Sequence, residues 1–388
     1  MKKLSPVTLL TLSAFIPILA FASESEVLSN TKQEIIKLKQ EQIKQKEQSN
    51  KYDWISDVDL NASITKDEDN TKTKDYSLSI SQDIFNFGGI SSQMDYATQL
   101  KKMENLDLQI STKDDLNTLF SYLIDVKIND ISLEQNIYYL KNSQIDIRNK
   151  KSEYKAGQLD ISDLNDAIMT KNELSDTQKE LELSKLVNIN SIKKYTSKNY
   201  KTIEIPNAKL MTKEIYLQNA TSVNYAKLDI DVNKSLYKIK KSDYLPTLAA
   251  TGTYGYQDSD TIENDDYYNY GLKVSMPLSY TASSDIEQTK LDQLISQKEL
   301  ADELISSEST YEEAILTIKS YKDRINLALQ DIKLYDELLE VNEEEYKAGY
   351  KTIDDVDTLK NSKMIRALDI KSYKLNIQKE ILNLYFKM

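Results

Sequence analysis

Over much of the chain, apolar residues return every seven positions. Leu304, Tyr311, Ile318, Ile325, Ile332, Leu339 and Tyr346 make one row, and Ala314, Tyr321, Ala328 and Tyr335 make a companion row three residues on. These are the two core rows of a heptad seam, and a strict seven-residue period implies left-handed supercoiling. No Pro or Gly intervenes from Ser284 to Tyr346. About 60 residues at 1.5 Å rise predict a rod of roughly 90 Å. A second rod is predicted from about Ile90 to Tyr154, with Leu119, Val126, Leu133, Leu140, Ile147 and Tyr154 in its row and only Thr112 breaking the series. Each rod is followed by a Gly-containing break and a further helical stretch, over about 162–200 and 354–386, whose natural place is the facing side of the seam.

The two rods are copies of one unit. Glu153-Tyr154-Lys155-Ala156-Gly157 recurs unchanged as Glu345-Tyr346-Lys347-Ala348-Gly349, 192 positions later, and the heptad rows share that offset. A repeat of this kind sets the architecture of the whole chain. The expected organisation is a first repeat over 23–200 and a second over 201–388, each a helix, two strands and a helical hairpin. Residues 195–210, with Pro206 and the β-leaning run Lys201 to Ile205, read as the linker.

Ahead of each rod the period changes to two. Val58, Leu60, Ala62 and Ile64 alternate with Asp57, Asp59, Asn61 and Ser63, and Tyr76, Leu78 and Ile80 alternate with Ser77, Ser79 and Ser81. In the second half Leu248 to Tyr256 and Tyr268 to Met276 repeat the pattern. Such alternation predicts a sheet with one apolar and one polar face. Each run is about 8–10 residues, the length of a tilted strand crossing a bilayer. The expected lipid-facing residues are Val58, Leu60, Leu78, Ile80, Leu272 and Val274. The charged connections, Lys66 to Asn70 and Gln257 to Asp266, suit long loops on one side of an outer-membrane barrel. A soluble sandwich with Tyr-rich faces would show the same alternation. Four strands cannot close a barrel, and open edges in lipid leave backbone groups unsatisfied. Spanning strands therefore require several copies, without fixing how many.

Composition narrows the reading further. Only 7 Gly and 5 Pro among 388 residues suit long helices better than a set of globular domains. Lys2 and Lys3, the apolar run from Leu9 to Phe21 and Ala20-Phe21-Ala22 predict an export signal over 1–22. Without it the chain carries 48 basic and 62 acidic residues, a formal −14, which argues against a nucleic-acid partner. There is no Cys and no His, which removes disulfides, thiolate metal sites, a lipid-carrying Cys and the commonest general base. No nucleophile–base pair, phosphate loop or metal cluster stands out. An enzyme, a cofactor and a metal site are therefore not expected.

Several segments, in order and in two copies, resemble the TolC-type outer-membrane efflux family. Tyr244-Leu245-Pro246-Thr247-Leu248 is similar to its strand entry, and Gln82-Asp83-Ile84-Phe85-Asn86-Phe87-Gly88-Gly89 and Val274-Ser275-Met276-Pro277-Leu278 to its strand exits. Tyr154 to Asp163 and Tyr346 to Asp355 resemble its Tyr-x-x-Gly hairpin turns. The resemblance implies a mixed α and β fold in which long antiparallel coiled-coil hairpins form a tunnel. Four amphipathic transmembrane strands per protomer would then contribute to a trimeric 12-stranded barrel. The function implied is the exit duct of a tripartite efflux or type I secretion system, a passive conduit opened by adaptor docking at the periplasmic tip. Its location would be the outer membrane, with a large periplasmic portion. The implied partners are two further copies of the chain, a periplasmic adaptor (membrane fusion) protein, an inner-membrane pump of RND, ABC or MFS type, and outer-membrane lipid. The resemblance also implies a gate of Tyr346 facing Asp163, Lys351 facing Ser162 and an inner ring of Asp355, with Tyr154, Gly157 and Gly349 in the adaptor-docking turns. This chain has Thr358 where a second family Asp is expected, Lys351 where Arg is familiar, and no Pro at the strand ends of the first half. Asp163 and Asp355 are equally suited to capping helices. An exported structural coiled coil of the cell envelope is the alternative reading, although it leaves the four strands unexplained.

Overall fold

The computed structural model describes residues 26–259 and 265–388; the expected export signal lies outside them. The elements are α1 (Asn30–Tyr52), β1 (Val58–Lys66), β2 (Lys72–Phe85), α2 (Gly89–Lys155), α3 (Ile161–Ile192), α4 (Lys213–Asn219), α5 (Thr221–Ser242), β3 (Thr247–Ser259), β4 (Asp265–Ser275), α6 (Ala282–Lys347) and α7 (Ile353–Phe386). The predicted rods are α2 and α6, continuous over 67 and 66 residues. The run Lys201 to Ile205 forms no strand; a 3-10 turn at Tyr200–Thr202, capped by Asn199, opens an otherwise extended connection. Among the described residues no helix is long and apolar enough to cross a membrane.

Compactness divides the chain across its two repeats. One unit comprises residues up to Ile35, Thr112–Ala208 and Thr317–Phe386; the other comprises Ile36–Ser111, Lys209–Leu316 and the last two residues. Each unit draws on both repeats, and α2 and α6 each contribute to both.

The first unit holds helical hairpins around a short, dense core. Leu116, Leu119, Phe120 and Ile124 of α2 are at most 1% exposed, as are Leu368, Leu382 and Leu384 of α7. Phe120 stacks on Phe386 with centroids 5.7 Å apart. Further along α2 the buried row turns polar: Asn129, Asn136 and Ser143, seven apart, are each under 10% exposed. Asn136 donates to the Leu174 carbonyl at 2.9 Å, so the amide is satisfied across the α2–α3 seam. In α6 the two heptad rows appear as expected, with Ile318 and Ala328 buried and Tyr321, Ile325, Ile332, Tyr335 and Leu339 half-buried. A further row, Leu327, Leu334 and Val341, stays more than half exposed among the described residues.

The second unit carries the sheet. β1, β2, β3 and β4 lie in that order, all antiparallel. Register places Leu60, Leu78, Tyr254 and Tyr268 side by side, and Asn61, Ser77, Gly255 and Tyr267 beside one another on the opposite face. A slip of one residue would exchange the faces, so the alternation read in the sequence fixes this pairing. Gly255 serves the polar face: a Cβ there would fall 2.4 Å from the Tyr267 ring, which crosses the glycine so that its hydroxyl donates to Asp75 at 2.8 Å.

Candidate functional site

Two places in the molecule carry the expected functional residues: the sheet with its faces and edges, and the turns that join α2 to α3 and α6 to α7.

On the sheet, every residue expected to face lipid is solvent-exposed in the single chain, from Ile80 at 38% to Leu60 at 76%. No helix covers that face, and so large an unpartnered apolar surface marks contact with lipid or protein. One margin of the apolar band is charged, where Lys74 and Asp258 pair across strands at 2.7 Å. The strand-entry motif has a local job as well. Tyr244 donates its hydroxyl to Asp285 in the first turn of α6, and Thr281 donates to the same carboxylate at 3.0 Å. Those bonds hold the Asp285 carboxyl below its ordinary range and tie the start of β3 to the helix that follows β4. Asn86, in the strand-exit motif, accepts from the Ile90 amide at 2.9 Å and so caps α2.

The hairpin turns are twins in structure as in sequence. Gly157 and Gly349 adopt φ of 71° and 83°, a left-handed conformation that glycine takes without Cβ strain. The amides of Gln158 and Tyr350 return to the carbonyls of Glu153 and Glu345 at 2.9 and 2.8 Å, closing both helix ends in the same way. Tyr154 and Tyr346 sit in the last turns of α2 and α6, 43% and 44% exposed. Asp160 caps α3, accepting from the Ile161 amide at 2.6 Å. Ser162 and Asp163 lie in the first turn of α3, exposed.

Asp355 has a defined local role. Its Oδ2 accepts from the amide and the hydroxyl of Thr352 at 2.9 and 2.8 Å, and its own amide donates back to Thr352 Oγ1 at 3.3 Å. This is a reciprocal capping box. The Thr352 amide and then its hydroxyl hold the Asp355 carboxyl below its ordinary range, with Lys351 adding to the effect. Within the chain no hydrogen bond joins Tyr346 to Asp163 or Lys351 to Ser162.

A polar ladder joins α2 to α7 from the turn end inward. Arg148 of α2 pairs with Asp354 of α7 at 2.6 Å. Gln135 donates to Asp369 at 2.7 Å, and Asn361 donates to Asn142 at 2.8 Å. Gln135 and Asn142 stand seven apart, as do Asp354 and Asn361. That spacing was available in the sequence, but a search for apolar rows passes over polar ones.

Residues 214–362 match the profile of the outer membrane efflux protein family. The chain carries an outer membrane efflux protein domain. The domain includes α5, all four strand ends of the second half and the whole of α6, so it is the second repeat that matches. The fold beyond the domain is that of solved outer-membrane channels. VceC from Vibrio cholerae superposes with a TM-score of 0.73 at 13% identity, over 94% of this chain and 95% of that one. The CmeC outer membrane channel of Campylobacter jejuni gives 0.75 at 14%, over 94% and 84%. The open state of the MtrE outer membrane channel of Neisseria gonorrhoeae gives 0.66 at 12%, over 95% and 87%. The mixed architecture of long hairpins and four amphipathic strands is therefore the architecture expected. No curated protein matches the chain in sequence.

The capping box yields a prediction. A carboxyl held below its ordinary range stabilises the fold fully above that range and loses the contribution as pH falls through the lowered value. Thr352→Ala should raise the Asp355 pKa towards the ordinary value and cost about 0.5–2 kcal/mol at the start of α7. A carboxyl NMR titration, with amide exchange of the first turn, reads both effects; an unmoved Asp355 would show that the box does not persist in solution.

Proposed function

We propose that the protein is one protomer of a homotrimeric channel-tunnel, the exit duct of a tripartite efflux or type I secretion system. Three sheets pool twelve strands into a barrel across the outer membrane. The hairpins extend as a periplasmic tunnel, and an adaptor protein docks at the turns around Tyr154, Gly157 and Gly349 and links the duct to an inner-membrane pump. The duct is a passive conduit rather than a catalyst.

One observation carries this reading: a sheet with an exposed apolar face and two unpaired edges, on a chain with an outer membrane efflux protein domain. In hydrocarbon such edges must pair, and identical copies offer the missing strands. The exposed row of Leu327, Leu334 and Val341 supports it too, since a tunnel built from several copies supplies the cover that one chain lacks. A purely structural envelope coiled coil has no use for the sheet. Extraction should need detergent and yield a trimer that conducts in planar bilayers; a folded monomer in the soluble periplasm would overturn the proposal.

The lipid face gives a sharper expectation. Leu60→Arg, Leu78→Arg or Leu272→Arg should impair assembly by about 2–4 kcal/mol at the bilayer midplane. Arg at Ser79 or Asn61 on the opposite face should leave trimer yield intact and change conductance. Equal loss on both faces would refute the assignment of lipid and lumen.

The gate belongs to the same proposal. In the assembled tip Tyr346 meets Asp163 and Lys351 meets Ser162, contacts worth about 0.5–3 kcal/mol each, while Asp355 lines an acidic ring that favours cations. Tyr346→Phe with Lys351→Ser should raise single-channel conductance and sensitise cells to bulky antibiotics at wild-type trimer levels. Unchanged conductance in that double variant would reduce these residues to packing the turns.

A further inference from the structure

The sheet ends in two unpaired edges, β1 on one side and β4 on the other. From the way its apolar band drifts across the strands, we infer the register in which copies join: β4 of one copy pairs antiparallel with β1 of the next, Leu60 opposite Val274 and Ile64 opposite Tyr270. The inference rests on the proposed trimeric barrel and adds to it the residues that close it.

The band can be followed strand by strand on the apolar face. On β1 it runs from Val58 to Ile64, between Ser56 and Lys66, and is centred midway between Leu60 and Ala62. On β2 it runs from Tyr76 to Ile80, between Lys74 and Gln82, and its centre, Leu78, lies opposite Leu60. On β3 it runs from Leu248 to Tyr256; its centre, Gly252, pairs with Ile80, which pairs with Val58. On β4 it runs from Tyr268 to Met276; its centre, Leu272, pairs with Ala250 and through it with Gln82, at the level of Ser56. Measured along β1, the centre moves steadily in one direction, by about five residues over three strand steps. The charged margin of Lys66, Lys74, Asp258 and Asp266 moves the same way, by about four.

A bilayer is a level slab, so this drift is the tilt of the strands against it. Carried over the fourth step, to the next copy, the centre implies a displacement of about 6.7 residues and the margin about 5.3, by linear extension of the registers above. Alternation permits only even displacements, since an odd one would put the apolar face of the next copy into the lumen. Six is the even number between the two. Repeated three times around twelve strands, it gives a tilt of about 45°, at the upper end of the usual range. This register also sets Val58 to Ile64 against Tyr270 to Met276, apolar against apolar throughout. With no displacement Leu60 would face Tyr268, and Ile64 would lie past the charged margin at Asp266.

The chain has no Cys, so introduced pairs report without background. Within one chain β1 and β4 are separated by two strands, about 14 Å, beyond disulfide reach. A linked product therefore joins two copies. The test uses the full chain in outer membranes and compares Leu60→Cys with Val274→Cys, with Leu272→Cys and with Tyr268→Cys under mild oxidation. Outward pairs all share one hydrogen-bonding type and inward pairs the other, so Asn61→Cys with Lys273→Cys tests the same register from the inner face. Directly opposite residues fall within disulfide range, whereas those two further along lie about 7–8 Å away. Leu60 with Val274, or Asn61 with Lys273, should give covalent dimers and trimers on non-reducing gels, and the other two pairs only traces. Dominant linking of Leu60 to Leu272 or Tyr268 overturns the register and leaves the barrel standing. Detergent trimers that link in no pair would overturn the register as well. Absence of trimers would instead defeat the proposed function itself.

Discussion

A peptide group placed in hydrocarbon must find its hydrogen bond within protein. That requirement bears on the sheet, because among the described residues the outer edges of β1 and β4 have no partner strand, while the sheet presents an exposed apolar face. In water an exposed edge of this kind invites aggregation. In a bilayer it sets the number and placement of neighbours. Register, face and edge are then one problem: the pairings that bring Leu60, Leu78, Tyr254 and Tyr268 together leave the polar residues on the other side, where Tyr267 can reach Asp75.

The hairpins face a different constraint. Close to the dense core, α2 buries Leu116, Leu119, Phe120 and Ile124 almost completely. Towards the turn, it buries Asn129, Asn136 and Ser143, and it meets α7 through Gln135, Asn142 and Arg148. Buried amides contribute little net stability, since each bond replaces one to water, but a misregistered amide leaves an unsatisfied group. The turn end of the bundle is thus held in register more than it is held shut. A seam of this chemistry can part and wet at lower cost than the apolar seam near the core. That grading fits the opening proposed for the turn end.

The sequence exposed most of this because its two periods are strict. Seven-residue rows located α2 and α6 to within two residues, and two-residue alternation located the four strands and their apolar faces. The twin pentapeptides marked both turns. What the apolar rows did not reveal was polar: the Gln135–Asn142–Arg148 ladder and the buried Asn row both depend on which helix lies opposite. Periodicity names the side of a helix that faces inward, and only the packed chain names the partner. The β-leaning run near Lys201, read as linker, lies in an extended connection, since β-propensity without a neighbouring strand builds no sheet.

The capping box also bears on what a gate at the tip can be. Asp355 cannot serve an axial ring and Thr352 as independent tasks, because one carboxylate oxygen accepts two bonds that start α7. Those bonds favour the ionised form, so the same contacts that begin the helix would keep the proposed ring charged. Protonating Asp355 would weaken the cap and discharge the proposed ring together. Between Ile353 and Asp355, Asp354 holds Arg148, so the first turn of α7 joins the two hairpins while it caps itself. A force that turned α7 about its axis would strain the Arg148 pair, leaving the capping box, local to four residues, intact. Opening by rotation of whole helices therefore costs exposed ion-pair contacts, which are weak, rather than the folding of the turns, and the tip can move without unravelling.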